Sequence, residues 1–219
     1  MKKFKRILAI GAHFDDVEIN CGGFLAKLSS QTKVVVAGNG HYCNLSGKLI
    51  RSRRLALAEG RLALSRLGIK SSNLLCLNYP ETEVPYDKNI ILKLEKIIND
   101  FSPEVILTHW PCDTHQDHSN LAQAVVAASR YQPNLLMWEP IFPSGKNPIV
   151  PFVPQLYIDI SNFQSIKIKA LQAHQSQIKK FSNCKIDWIE GITARARYRG
   201  YESSCKYAEA FYVFRLKDL

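Results

Sequence analysis

The sequence predicts an α/β fold, Rossmann-like, with a mostly parallel sheet and helices on both faces. Three observations carry that prediction. Short apolar runs of five to seven residues, rich in valine, isoleucine and leucine, recur along the chain, as expected of strands buried on both faces. Longer stretches with leucine, alanine and isoleucine at helical spacing lie between them, and this alternation indicates crossovers into one parallel sheet. The length of 219 residues, 46% apolar and 22% charged, suits a single domain over 1–219 with a sizeable core.

In chain order, residues 6–12 (RILAIGA) form the first strand. The polar segment HFDDVEINCGG follows, and residues 24–30 (FLAKLSS) read as helical. Residues 33–37 (KVVVA) form a second strand, its valines suited to a pleated surface. After a loop over 38–47, residues 49–67 make a long helix closed by Gly68, the residue that most readily adopts the left-handed stop. Residues 73–77 are a third strand, 80–87 a loop, and 89–99 (NIILKLEKIIN) an amphipathic helix ended by Pro103. Residues 104–108 (EVILT) are a fourth strand, 109–118 a polar loop, and 120–131 a helix. The last third is less regular: a proline-rich loop over 140–154, a strand over 155–160, a helix over 165–180 and a late strand over 207–214. No internal repeat, low-complexity tract or linker stands out.

The composition narrows the function classes. The net charge is +10, from 29 basic and 19 acidic residues, which favours anionic partners in general. The basic residues are spread along the chain, so solubility alone accounts for them equally well. No run of about 18 apolar residues occurs, so no integral membrane segment is expected. The start, MKKFKR, has the charge of a signal peptide, but the apolar stretch behind it is too short, and a cytoplasmic location is expected. Six cysteines, at 21, 43, 76, 112, 184 and 205, form no C-x-x-C pair. That excludes a zinc knuckle, and free thiols are expected.

The chemistry gathers in two loops. The first follows the first strand and carries His13, Asp15, Asp16 and Glu18. The second follows the fourth strand and carries His109, Asp113, His115, Asp117 and His118. Four of the six histidines therefore lie at the same edge of the inferred sheet, beyond the carboxyl ends of its strands, where open α/β sheets bind ligands. Asp15-Asp16 alone could simply cap a helix. The two loops together are harder to explain structurally, because carboxylates and imidazoles crowd without cost only when paired or holding a cation. Histidine nitrogen with carboxylate oxygen suits Zn²⁺ first, with Fe²⁺, Mn²⁺ or Co²⁺ as other divalent choices. His13, Asp16 and His118 can supply three ligands and leave a position open. Asp15 is then free to take a proton from the attacking water. His115 can point at the same centre, as an imidazolium facing a developing oxyanion or as proton donor to a leaving amine, with Asp117 or Asp113 orienting its ring.

These residues resemble the PIG-L/LmbE-like zinc N-deacetylases. The first family motif, A-H-x-D-D-x-E then G-G, is matched by Ala12-His13-Phe14-Asp15-Asp16-Val17-Glu18 and Gly22-Gly23. The second, H-x-D-H, is matched by His115-Gln116-Asp117-His118. Lys167, Ala170-Leu171, Ser176-Gln177, Arg195, Gly200 and 207–211 (YAEAF) are similar to later family segments. The resemblance implies removal of an N-acetyl group from an N-acetylglucosamine-type conjugate, a cation on His13, Asp16 and His118, Asp15 as general base and His115 as catalytic histidine. It also implies a homo-oligomer. Glu18 is read as structural or as a support behind the ligands. The chain departs from the family at Phe14 (often proline), Ala56 (often arginine) and Glu81 (often aspartate), which bears on substrate rather than on chemistry. Arg51, Arg53 and Arg54 lie near the missing arginine; Arg54 and Glu81 are the substrate-binding candidates. Two other readings differ in class: a zinc hydrolase of another amide conjugate, and a basic nucleic-acid-binding module resting on Arg195, Arg197 and Arg199. The aromatic stripe that such a module needs is not visible, and no nucleic-acid partner is expected.

Overall fold

The structure is a computed structural model that describes residues 4–44, 46–141, 144, 147 and 149–217. Parts of the signal-like start and of the predicted 140–154 loop lie outside these residues. A seven-stranded sheet forms the centre, and its strands are β1 (Ile7–Gly11), β2 (Thr32–Gly38), β5 (Leu74–Tyr79), β6 (Val105–Thr108), β7 (Leu135–Trp138), β8 (Leu156–Asp159) and β9 (Ala208–Arg215). Their spatial order is β5-β2-β1-β6-β7-β9-β8. The pairings from β5 to β7 are parallel, and β9 runs antiparallel to both its neighbours. A separate two-stranded antiparallel sheet pairs β3 (Tyr42–Cys43) with β4 (Leu49–Arg51).

Alternate side chains of β1 enter different cores, as the two-residue period of a strand requires. Ile7 and Ala9 join the cluster under α1 (Asp16–Lys27), α2 (Arg53–Arg66) and α5 (Gln164–Leu171). Leu8 and Ile10 join the cluster under α3 (Lys88–Phe101) and α4 (Gln116–Ala128). A smaller cluster of Ile19, Leu171, Phe181, Trp188 and Ile192 seats α6 (Gln175–Asn183) and α7 (Trp188–Glu202).

Several boundaries differ from the sequence expectation. The first helix starts at Asp16, well before residue 24. It is broken at Cys21, whose backbone is non-helical. The break frees two N–H groups, and Glu209 accepts from both Gly23 and Phe24 at 2.8 Å. Gly23 is required there, since a Cβ would stand 2.7 Å from Ile160. The predicted 49–67 helix begins only at Arg53, capped by Ser52, because Leu49–Arg51 pairs with the 42–43 strand. The predicted 165–180 helix is two helices, α5 and α6. Strand β7 and helix α7 were not anticipated. All six cysteines are free. No helix among the described residues is long and apolar enough to cross a membrane.

The chain runs outward through β1, β2 and β5, then returns to lay β6 on the other side of β1. The carboxyl ends of β1 and β6 therefore flank the switch point of the sheet, where such folds open a crevice.

Candidate active site

Both polar loops leave the sheet at that crevice. Ala12 to Asp15 link β1 to α1, and His109 to His115 link β6 to α4. The resulting cavity has a volume of about 340 Å³, within the usual range for a small-molecule site. Its floor is His13, Asp15, Asp16, His115 and His118; Ile19, Ile141, Phe181 and Trp188 form an apolar wall.

The three expected ligands converge. His13 Nδ1 lies 3.1 Å from His118 Nε2. Asp16 lies 3.5 Å from each, through Oδ2 to His13 and through Oδ1 to His118. Ligands on a tetrahedral centre with bonds of about 2.0–2.1 Å stand roughly 3.4 Å apart; among the described residues the sets whose ligand atoms all lie within 4.8 Å of one another are His13, His115 and His118, then Asp16, His109 and His118, and His13, Glu81 and Asp117, so the three expected ligands fall in two sets that share His118. Two imidazole nitrogens facing each other at 3.1 Å also need a proton or a cation between them.

Each of these three side chains is held from behind. His13 Nε2 lies 3.1 Å from Asp117 Oδ2 and 3.0 Å from Glu81 Oε2. Asp117 is fully buried and also accepts from the N–H groups of Thr82 (2.7 Å) and Val84 (3.1 Å). His118 Nδ1 bonds to Asp113 Oδ2 at 2.8 Å, which leaves Nε2 toward the cavity. Asp16 Oδ2 accepts from the His13 N–H at 2.6 Å and lies 3.1 Å from His109 Nε2. Such outer contacts fix ring orientation and tautomer at metal sites.

Charge states follow from this packing. Burial alone would lower the pKa of His13, but hydrogen bonds to Asp117, Asp16 and Glu81 outweigh it and hold it well above the ordinary value. Burial would raise Asp16, yet the surrounding histidines drive it well below the carboxylate range. Asp113 and Asp117 are lowered against their burial by hydrogen bonds from His118 and His13 respectively. His109 is pushed down to about 4, first by burial and then by His118. His115 is lowered by burial and by the neighbouring His13 and His118.

The other candidates fall as follows. Asp15 is the N-cap residue of α1, but its side chain makes no capping hydrogen bond and lines the cavity. His115 caps α4: its Nδ1 accepts from the Asp117 N–H at 3.2 Å, and its ring stacks on His118 with centroids 4.6 Å apart. Asp117 thus faces His13 through its carboxylate and meets His115 only through its backbone, while Asp113 Oδ1 accepts from the His115 N–H. Glu81 lines the cavity, but both oxygens are engaged, Oε2 at His13 and Oε1 with the Gly40 N–H at 2.7 Å. Arg54 is exposed and not among the cavity-lining residues, whereas Arg51, 3% exposed, lines the cavity and pairs with Glu59 Oε2 at 3.0 Å. Phe14 turns away into the core, its ring packed where Gly40 and Gly60 lack side chains. Arg195 and Arg199 are not a solvated helix end. Arg195 bonds to the carbonyls of Glu139 and Ile19 and to Asn20, and Arg199 pairs with Glu139 and Glu202.

Residues 8–129 match the sequence profile of the PIG-L family, described as GlcNAc-PI de-N-acetylase. The chain belongs to the PIG-L family. Among its relatives is the uncharacterized deacetylase YaiS of Escherichia coli K12, 33% identical over 80% of this chain and 92% of that one. The diacetylchitobiose deacetylase of Thermococcus kodakarensis is 27% identical over 94% of this chain and 81% of its own. The solved structure of N,N'-diacetylchitobiose deacetylase from Pyrococcus horikoshii superposes with a TM-score of 0.79 at 21% identity, covering 97% of this chain and 85% of that one. In this PIG-L member the residues that sequence reasoning named find partners it did not assign: Asp113 meets His118 rather than His115, His109 lies beside Asp16, and Arg51 rather than Arg54 lines the cavity; Lys180, also at the cavity, was not singled out in the sequence. The H-x-D-H motif signals a site but not which distant group orients each ring.

Proposed function

We propose that the protein is a cation-dependent N-deacetylase acting on an N-acetylated amino sugar conjugate, with zinc as the cation. One observation carries the reading: His13 Nδ1 and Asp16 Oδ1 stand 3.1 and 3.5 Å from His118 Nε2, beside an Asp15 whose side chain makes no capping bond, in an open cavity. A divalent cation seated there would polarise the amide carbonyl and acidify water. Asp15 takes the proton of the attacking water as general base. His115 is neutral near pH 7, and with Nδ1 occupied by the Asp117 N–H its Nε2 carries a proton. It therefore serves as a neutral hydrogen-bond donor to the developing oxyanion, in place of the imidazolium expected from sequence, while the proton that Asp15 took from the water is the one delivered to the departing amine. Deacetylase names among the relatives support the bond type, and the sugar named for the Thermococcus protein supports the substrate class.

The apolar wall of Ile19, Ile141, Phe181 and Trp188 favours a second reading, hydrolysis of an amide conjugate whose acyl group or aglycone is more hydrophobic. Acetate release from a panel of N-acetyl amino sugars, with and without added Zn²⁺, separates the two. Cation-dependent acetate release supports the first reading. Cleavage of other amides without any acetate release would replace it with the second.

A further inference from the structure

We propose that Thr82 is a substrate-contacting, specificity-determining residue, whose hydroxyl binds an oxygen of the sugar in the cavity. The proposal rests on the amino-sugar deacetylase reading and goes beyond it in naming a contact that neither sequence motif contains.

Thr82 occupies the third position of a tight turn. The Glu83 N–H donates to the Pro80 carbonyl at 3.2 Å, which closes the turn over Pro80, Glu81, Thr82 and Glu83. The backbone of Thr82 is left-handed, with φ of 66°, while that of Glu81 is not. This is the sign pattern of a type II turn, whose third position favours glycine or asparagine. A β-branched residue there crowds its own backbone, and such an outlier persists only where its surroundings hold it. Asp117 does so here. Its buried carboxylate accepts from the N–H groups of Thr82 at 2.7 Å and Val84 at 3.1 Å, and the Gln116 side-chain amide donates to the Thr82 carbonyl at 3.5 Å.

All of these contacts are to backbone, and glycine would make each of them without the strain. The Thr82 side chain adds nothing to the core: it is exposed, and Val84 fills the core position of this loop. Its hydroxyl has no other engagement, since the hydrogen bonds of Thr82 among the described residues are main-chain ones. What the side chain does have is a place in the cavity lining, with Glu81 and His115. A threonine hydroxyl both donates and accepts, which matches a sugar hydroxyl, itself donor and acceptor. Glu81 in the same turn has Oε2 3.0 Å from His13 Nε2, so the strained turn is anchored directly to the histidine floor of the cavity.

Steady-state acetate release from N-acetylglucosamine and its monodeoxy analogues, beside urea midpoints, tests this on wild type, Thr82→Gly, Thr82→Val and Thr82→Ser. Thr82→Gly and Thr82→Val both remove the hydroxyl. Each should raise KM about tenfold with kcat little changed, the signature of one lost hydrogen bond to bound substrate. The two should part in stability: Thr82→Gly relieves the strain and raises the midpoint, whereas Thr82→Val keeps the branched side chain and does not. Thr82→Ser keeps the hydroxyl, and its KM should stay close to wild type. One deoxy analogue should be poor for wild type and no poorer for Thr82→Gly, which identifies the sugar oxygen. An unchanged KM in both Thr82→Gly and Thr82→Val overturns the proposal. So does a Thr82→Gly midpoint that fails to rise, and so does a Thr82→Ser protein as impaired as Thr82→Val. Should Thr82→Val fail to fold, Thr82→Gly and Thr82→Ser decide. Wild type releasing no acetate from any of these sugars would instead remove the amino-sugar reading, and the contact with it.

Discussion

Asp15 and Asp16 are neighbours in sequence with opposite surroundings, and their substitution should separate two functions. Asp16 is enclosed by His13, His109 and His118, while Asp15 faces the cavity without a capping bond. Asp15→Asn should keep bound cation and lose turnover by a factor of about 10² or more. His118→Ala should lose the cation itself. Metal analysis beside initial rates distinguishes them, and a cation-free Asp15→Asn protein would contradict the base assignment. His13 adds a pH dependence. Its pKa in the cation-free protein is raised, so the ring is protonated below that value, and a cation on Nδ1 must expel the proton. Affinity should therefore rise with pH, by about tenfold per unit while His13 remains protonated. Zn²⁺ titrations from about pH 6 to about pH 8 in buffers of different ionisation heat would show the released proton. The residue types and order at 13, 15, 16, 115 and 118 were legible from two motifs. Their partners were not: His109 finds Trp138 29 positions away and Asp117 finds Thr82 35 positions away, and only the fold supplies those contacts.

Elements were legible where hydrophobic period and capping agreed, and misread where a local signal competed. The four apolar runs all became parallel strands. Residues 49–51 have helical composition but pair with 42–43, so the helix waits for its Ser52 cap. Helix α7 was missed because its buried stripe of Ile192, Ala196 and Gly200 uses small residues amid arginine and tyrosine. Strand β7 is only four residues between two prolines, too short for period to register. Phe14 gives the element scale its own prediction. A Cβ on Gly60 would stand 2.5 Å from the Phe14 ring, in the contact that holds α2 against the first loop. Gly60→Ala should destabilise by about 1–3 kcal/mol through overpacking, against the helical gain that alanine usually brings. A urea midpoint measures it, and combining the change with Phe14→Leu should recover part of the loss.

At the scale of the molecule, one buried carboxylate, that of Glu209, joins the last strand to α5 and to the first helix. Lys167 on α5 donates to Glu209 on β9 at 2.6 Å, and Glu209 also holds the break in α1. Both charges are almost fully removed from water, and burial lowers the Lys167 pKa despite its partner. Lys167→Met leaves a lone carboxylate in the core and should cost about 3–5 kcal/mol. Adding Glu209→Gln should restore part of that, which a denaturation cycle over the four proteins would reveal. The parallel half of the sheet followed from strand–helix alternation, but the antiparallel pairing of β9 with β7 and β8 joins segments too far apart in sequence for any local pattern to announce.

The return of the chain to β1 has a consequence for biogenesis. His13 and His118 stand 105 residues apart, beyond the ends of β1 and β6, strands that become neighbours only after the intervening segment has folded outward and doubled back. A nascent polypeptide shorter than that offers an ion no complete grip, so loading must follow assembly of the sheet. Once seated, the ion would favour the assembled chain by mass action, acting as a late clasp across a long excursion rather than as a seed for it.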